Sequence, residues 1–299
     1  MKKSLSILMA VSMLALAACG GSSAPATTAA PATTAAAAET KAEETKAEET
    51  KAEETKAEEK TEAAAAETEA APAAVKTVQE GKLVMCTNAE FPPYEYHDNN
   101  TIVGIDAEIC AAIAEKMGLE LEIEDIAFDS IIPEISSGKA DIGAAGMTVT
   151  EDRKQNVDFS ETYAKASQVI IVTEDSEVKG FEDLQGKKVG VQTGTTGDIY
   201  VTGDLGDECV ERYAKGMEAV QALSQTKIDA VVIDGEPAKK YISEVPGLKI
   251  LDESYTDEEY AIAIRKGNTE LLDAVNKAIG ELKADGTLDA IVAKYITAD

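Results

Sequence analysis

The sequence predicts an α/β protein of two lobes, each a mostly parallel sheet flanked by helices, with a cleft between them. Three observations carry this. Apolar runs of strand length alternate with amphipathic stretches of helix length from about Leu83 onward. The alternation falls into two series, linked near Lys165 to Gln168 and joined again near Glu258 to Ile262, so that the chain crosses twice. Glycines stand where helices should stop, as at Gly118 and Gly138.

Leu83 to Thr87 reads as a strand. Asp106 to Met117 puts Ile109, Ala112, Ile113 and Met117 on one helical face. Leu119 to Ile123 alternates as a strand, Asp129 to Ser137 is a helix, and Asp141 to Ala145 is a buried strand. The second series runs through strand Gln168 to Thr173, strand Lys188 to Val191, a helix from about Thr196, strand Cys209 to Tyr213 and helix Met217 to Gln225. It continues with strand Asp229 to Ile233, helix Glu236 to Ile242 and strand Leu248 to Leu251. After a strand from Tyr260 to Ile264, two helices close the chain. Sheets of this kind bind ligands at the carboxyl ends of their strands.

Ahead of the lobes lies an address. Lys2 and Lys3 precede an apolar run, Leu5 to Ala18, too short to cross a bilayer, which marks 1–18 as a secretory signal. Leu16-Ala17-Ala18-Cys19 resembles the lipobox of bacterial lipoproteins, which implies cleavage before Cys19 and a lipid, palmitate included, on that residue. From Gly20 to about Lys76 the chain has no aromatic residue and repeats Lys-Ala-Glu-Glu-Thr from Lys41, Lys46 and Lys51, so it cannot build a core. The expected organisation is a signal at 1–18, a lipid-anchored tether at 19–77, a first lobe from 78–166 plus 260–299, and a second lobe at 167–259. Such a protein faces outward, on the outer face of the plasma membrane or in a periplasm.

The formal net charge is −28, and no basic patch interleaved with aromatics relieves it, which argues against nucleic acid as a partner. Cys86, Cys110 and Cys209 are widely spaced in apolar surroundings, which points to buried thiols more than to one disulfide with a free thiol, and fits no metal-ligand pattern.

Catalytic constellations are scarce. The sole histidine, His97, falls in the polar stretch His97-Asp98-Asn99-Asn100, a solvated hairpin turn. No Ser-His-Asp set, HExxH helix or nucleophile elbow is present. Gly190 to Gly197 follows a strand and opens a helix without a Lys-Ser/Thr ending, so it is either an anion-holding turn or a plain connection, and not a nucleotide loop. Thr148 and Arg153 lie just past a buried strand, where a guanidinium grips a carboxylate or makes a surface ion pair. Asp234 follows another strand and suits an ammonium group. Phe91, Tyr94 and Phe128 fall in loops after strands, as ring faces for a ligand or as core.

Together the segments TNAEFPPYEY, IVGIDAEICAAIAEKMG, AFDSIIPEISSGKADI, AGMTVTEDRKQNVDFS, GKKVGVQTGTT and IDAVVIDGEP resemble the extracellular solute-binding proteins, family 3. That resemblance covers Val78 to the C-terminus. It implies the two-lobe type II periplasmic-binding-protein fold, a free amino acid as ligand, an ABC permease as partner, no cofactor and a monomer that is not an enzyme. By position it gives Arg153 the ligand's α-carboxylate, helped by Thr148 and the Thr196 backbone. Gly146 then offers its carbonyl and Asp234 its carboxylate to the α-ammonium. Phe91 and Phe128 sandwich the side chain, with Asn88 and Gln192 near its tip. Family members for basic or amide side chains often carry Asp where this chain has Asn88, so a neutral, polar amino acid is expected. The alternatives are a basic amino acid, its charge met by a carboxylate such as Glu90, and an enzyme of the dehydratase type on the same fold.

Overall fold

The structure is a computed structural model that describes residues 75–296. The signal, Cys19 and the tether up to residue 74 lie outside the described residues.

The described chain opens with β1 (Lys82–Thr87), whose Leu83, Val84, Met85 and Cys86 are all fully buried. A strand covered on both faces shows a continuous apolar run instead of alternation. Three short strands follow, β2 (Glu90–Phe91), β3 (Glu95–Asp98) and β4 (Thr101–Val103), paired antiparallel as a small sheet. The expected turn is tighter than His97 to Asn100: His97 and Asp98 belong to β3, and Asn99 turns the chain with φ 56°, a left-handed conformation that Asn tolerates.

Next come α1 (Ile105–Lys116) and β5 (Glu120–Asp125). A short turn, Phe128–Ser130, leads into α2 (Ile131–Ser137), which Gly138 ends at φ 75°. Then follow β6 (Ile142–Gly143), α3 (Glu151–Lys154) and β7 (Val157–Phe159). Asp141 to Ala145 is buried throughout, but only Ile142 and Gly143 pair as strand; the Asp141 carboxylate accepts the N–H groups of Val78 and Val84 at 2.8 Å each.

The long strand β8 (Ala164–Thr173) begins the second sheet. It is followed by β9 (Val189–Gln192), α4 (Thr196–Leu205), β10 (Val210–Tyr213), α5 (Gly216–Ser224), β11 (Ala230–Asp234), α6 (Gly235–Glu244), β12 (Leu248–Ile250) and β13 (Thr256–Tyr260). Cys209 sits in a short turn, Asp207–Cys209, ahead of β10 and not in it. The chain then returns to the first sheet through β14 (Ala263–Arg265) and ends in α7 (Thr269–Ala284) and α8 (Thr287–Tyr295).

The first sheet has the order β5-β1-β6-β14-β7, and the second β10-β9-β11-β8-β12 with β13 also on β8. Within the αβ repeats the pairing is parallel, as expected. The crossing strands enter from the other direction, so β8 pairs antiparallel with β11, β12 and β13, and β14 with β6 and β7. The single strand expected at Tyr260 to Ile264 is two strands, since Ala261 and Ile262 carry the chain from one sheet to the other.

Each sheet is covered on both faces. Leu83 and Met85 of β1 join the core beneath α1, α7 and α8, while Val84 and Cys86 face Ile131 and Ile135 of α2. In the second lobe Ile171, Val231 and Ile233 pack with the α5 and α6 side chains, and Ile170, Val172 and Val232 with Val201 and Leu205 of α4. Each such fully buried aliphatic side chain contributes about 1.5–3 kcal/mol. The carboxyl ends of β1, β6, β9 and β11 all open on the space between the sheets.

Candidate ligand-binding site

Thr150 caps α3 by accepting the Arg153 N–H at 3.2 Å, which sets the arginine at the first turn. Its guanidinium is buried, 6 % exposed, with Nη1 donating to the Thr148 carbonyl at 2.8 Å and Nη2 to the Gly194 carbonyl at 3.2 Å. The Phe128 ring lies 5.3 Å below it, a cation–π contact. Burial lowers its pKa and the Glu258 charge opposes this, but a guanidinium stays charged in a protein. Among the described residues this buried cation makes no ion pair.

Asp234 is its counterpart in the second lobe. It ends β11 and caps α6, with Oδ1 accepting the Glu236 N–H at 3.2 Å and Oδ2 accepting the Tyr260 hydroxyl. Burial pushes its carboxyl up to about 7, against the pull of those two bonds. A cation beside it would reverse that shift.

Gly146 donates its N–H to Asp106 Oδ2 at 2.8 Å in a left-handed conformation, φ 51°. A Cβ there would stand 2.7 Å from the Phe91 ring, so only glycine fits. Thr196 is the first residue of α4, after the capping Thr195, whose hydroxyl donates to the Gln192 carbonyl at 2.8 Å. The opening N–H groups of a helix have no acceptor within it, which favours an anion there.

Asn88 and Gln192 meet across the cleft, Gln192 Nε2 donating to Asn88 Oδ1 at 2.8 Å. Backbone carbonyls fix both amides: Asn88 Nδ2 donates to Ile126 at 2.9 Å and Gln192 Nε2 to Ala214 at 3.3 Å. That leaves Gln192 Oε1 without a donor among the described residues. At the rim the Tyr241 hydroxyl donates to the Glu90 carbonyl and Lys215 pairs with the Glu90 carboxylate, so the lobes are in contact.

Asn88, Phe91, Phe128, Gly146, Thr148, Arg153, Gln192, Thr196 and Asp234 all line one cavity. Sequence reasoning missed Ala145, Gln168, Thr195, Ile233 and Tyr260, which line it too. Thr195 and Ile233 adjoin residues that were singled out, so the strand-end signal reaches them; Gln168 and Tyr260 come from the crossing strands. Tyr94 stacks on Phe91 at 5.8 Å and is buried in the core of the first lobe, outside the cavity lining. His97 pairs with Asp125 at 2.8 Å away from the cavity. Cys86, Cys110 and Cys209 are buried free thiols, and burial pushes Cys86 up to about 12. Among the described residues no cluster of His, Cys, Asp and Glu could hold a metal.

Two lobes of doubly covered sheet, crossed twice and closing on a cavity with a cation and a carboxylate, define a binding protein of the type II periplasmic kind. Residues 83–298 match the bacterial extracellular solute-binding proteins, family 3, and the chain belongs to that family. It is 35 % identical over 228 residues to the arginine-binding extracellular protein ArtP of Bacillus subtilis, covering 73 % of this chain and 87 % of that one. An ancestral arginine-binding protein solved with arginine superposes with a TM-score of 0.69 at 44 % identity, covering 72 % of this chain and 98 % of that one. An ancestral arginine-binding protein solved with glutamine gives a TM-score of 0.70 at 43 % identity, covering 74 % of this chain and 100 % of that one.

Proposed function

We propose that this chain is the substrate-binding component of an amino-acid ABC importer, taking one free amino acid outside the membrane by lobe closure and delivering it to a permease. The observation that carries this is the placement of Arg153 and Asp234 on opposite lobes of one cavity, each buried and each lacking an ion-pair partner among the described residues. A zwitterion leaves water only where both its charges meet opposite, hydrogen-bonded groups, and these two residues answer its two ends.

The ligand is a neutral amino acid whose side-chain tip donates N–H, as glutamine does. Among the described residues Asp234 is the one carboxylate and Arg153 the one cation lining the cavity, so a third charge on the ligand would find no partner there. Glu90, at the rim, is engaged by Lys215. Gln192 Oε1 is the acceptor for the tip. A second reading, arginine, is favoured by the likeness to arginine-binding proteins, of which one was solved with arginine and another with glutamine.

Thermal shift followed by calorimetry over the free amino acids separates these readings, since a ligand selective for the folded state raises its melting temperature by mass action. Glutamine should give the largest shift; a larger one with arginine would favour the second reading, and none with any amino acid would overturn the function. N-acetylated and decarboxylated analogues should fail. Recovering the ligand unchanged after long incubation checks that the cleft captures without turnover. Anchoring through Cys19 and a monomeric working state belong to the same proposal. Cys19→Ala should release the protein from membranes in fractionation with its affinity unchanged, and size-exclusion chromatography should give one chain.

A further inference from the structure

Glu258 is a buried carboxylate that the amino-acid reading leaves without a task. It stands on β13, 6 % exposed, behind the cavity wall. Its Oε2 accepts the Thr148 hydroxyl at 3.0 Å and the Gln168 amide at 2.9 Å, and both donors belong to residues that line the cavity. Its Oε1 is buried without a donor among the described residues. A hydroxyl has one proton, so while Glu258 holds it Thr148 Oγ1 offers the cavity only lone pairs, the wrong face for a carboxylate. Arg153 donates to the Thr148 carbonyl, and Glu258 is the carboxylate whose charge acts on that guanidinium. An arriving α-carboxylate needs these same donors and this same cation.

We propose that Glu258 is an internal anion that competes with the ligand's α-carboxylate for Thr148, Gln168 and Arg153, and so sets both the strength of carboxylate binding and its preference over a carboxamide. This rests on the function proposed above. Glu258 is a positioning residue, acting through the two wall side chains and the field at Arg153 without touching the ligand. A glutamine at this position keeps the shape, removes the charge and can itself donate to Thr148 Oγ1, which frees the hydroxyl proton to turn toward the ligand. The weaker hold that Glu258 imposes appears chiefly as faster release, since affinity differences within one site reside mostly in the dissociation rate.

Calorimetry on wild type, Glu258→Gln and Glu258→Asp tests this, with glutamine, arginine and their α-carboxamides as probes. Glu258→Gln should bind the amino acid about tenfold more tightly, the worth of one like charge at partly screened range, and change the carboxamide less than threefold. Glu258→Asp, which keeps the charge, should retain the wild-type ratio of amino acid to carboxamide. A folded Glu258→Gln protein with unchanged or weaker amino-acid binding overturns the proposal, as does a Glu258→Asp protein showing the same gain, because packing would then be the cause. Wild type that binds no free amino acid in the thermal-shift screen removes the functional reading and this proposal together; wild type that binds while the ratio stays fixed removes this proposal alone.

Discussion

Tyr260, the last residue of β13, donates its hydroxyl to Asp234, the last residue of β11. The strand that leads the chain out of the second lobe thereby holds the carboxylate that faces the cavity. That bond lowers the Asp234 pKa, yet burial outweighs it and leaves the group near 7.

Ligand affinity should therefore depend on pH with a defined sign. The carboxyl must be ionised to pair with an ammonium, and pairing lowers its pKa, so protons and ligand compete. Binding should be level above about pH 8 and weaken up to about tenfold per pH unit below about 7, until the pKa of the complex is reached. Calorimetry from pH 5 to 8 checks it, and Asp234→Asn should bind weakly at every pH without that slope.

Arg153→Ala should abolish measurable binding. Losing one partner of a desolvated charge pair costs about 2–5 kcal/mol, roughly thirty-fold to several thousand-fold in affinity. Arg153→Lys should recover little, because an ammonium cannot reach the Thr148 and Gly194 carbonyls while presenting a planar fork to a carboxylate. An equilibrium constant within threefold of wild type for either variant would take Arg153 out of the site.

Glu95 and Asp106 form a buried acidic pair in the first lobe, where Asp106 holds Gly146 and the Tyr163 hydroxyl. Burial raises both, Asp106 to about 6 and Glu95 well above the carboxylate range. A carboxyl raised in the folded state favours folding fully below its unfolded pKa, and loses that advantage as pH rises toward the folded value. Wild type should thus fall in stability relative to Glu95→Gln by about 1.4 kcal/mol per pH unit above about 4.5, until the folded pKa is reached. Urea melts of the two proteins from pH 4.5 to 8 measure the difference, and parallel curves would contradict it.

Gly104→Ala should destabilise far more than Gly118→Ala. At 104, with φ 131°, a Cβ would lie 2.1 Å from the Tyr94 carbonyl oxygen, so backbone must move; at 118, with φ 70°, it meets nothing within 4 Å. The expected losses are about 3 kcal/mol and about 1 kcal/mol, read from denaturant midpoints.

A chain beginning at Val75 should bind its ligand as the longer chain does, because the low-complexity segment lacks core-forming side chains and, among the described residues, the cavity is lined from Asn88 onward. Matched calorimetry on the two lengths is the check.

Much of this architecture was legible in local pattern. Two-sided burial shows as apolar runs such as Leu83 to Cys86, helix ends show as glycines, and strand ends point to the cavity, which is how Arg153 and Asp234 could be singled out, whereas Gly146 came only with the family resemblance. What local pattern does not carry is pairing across the chain. Nothing between Tyr260 and Ile264 tells that one apolar run serves two sheets, since residues on either side of Ala261 and Ile262 are equally buried. Gln168 and Tyr260 reach the cavity only through that exchange. Glu258 looks like one more charge in an acidic stretch, and only the fold brings Thr148, 110 residues earlier, to its carboxylate.

The second sheet is built from one unbroken stretch, Ala164 to Tyr260, whereas the first needs β14 and the packing of α7 and α8 from the far end of the chain. A chain emerging from its amino end can thus finish the later lobe before the earlier one. Until residues past 263 appear, β6 and β7 lack the strand that joins them and Leu83 and Met85 lack the helices that cover them. The half that starts first is the half completed last, and the apolar surface it displays meanwhile is where chaperones, or aggregation, would meet this protein during export.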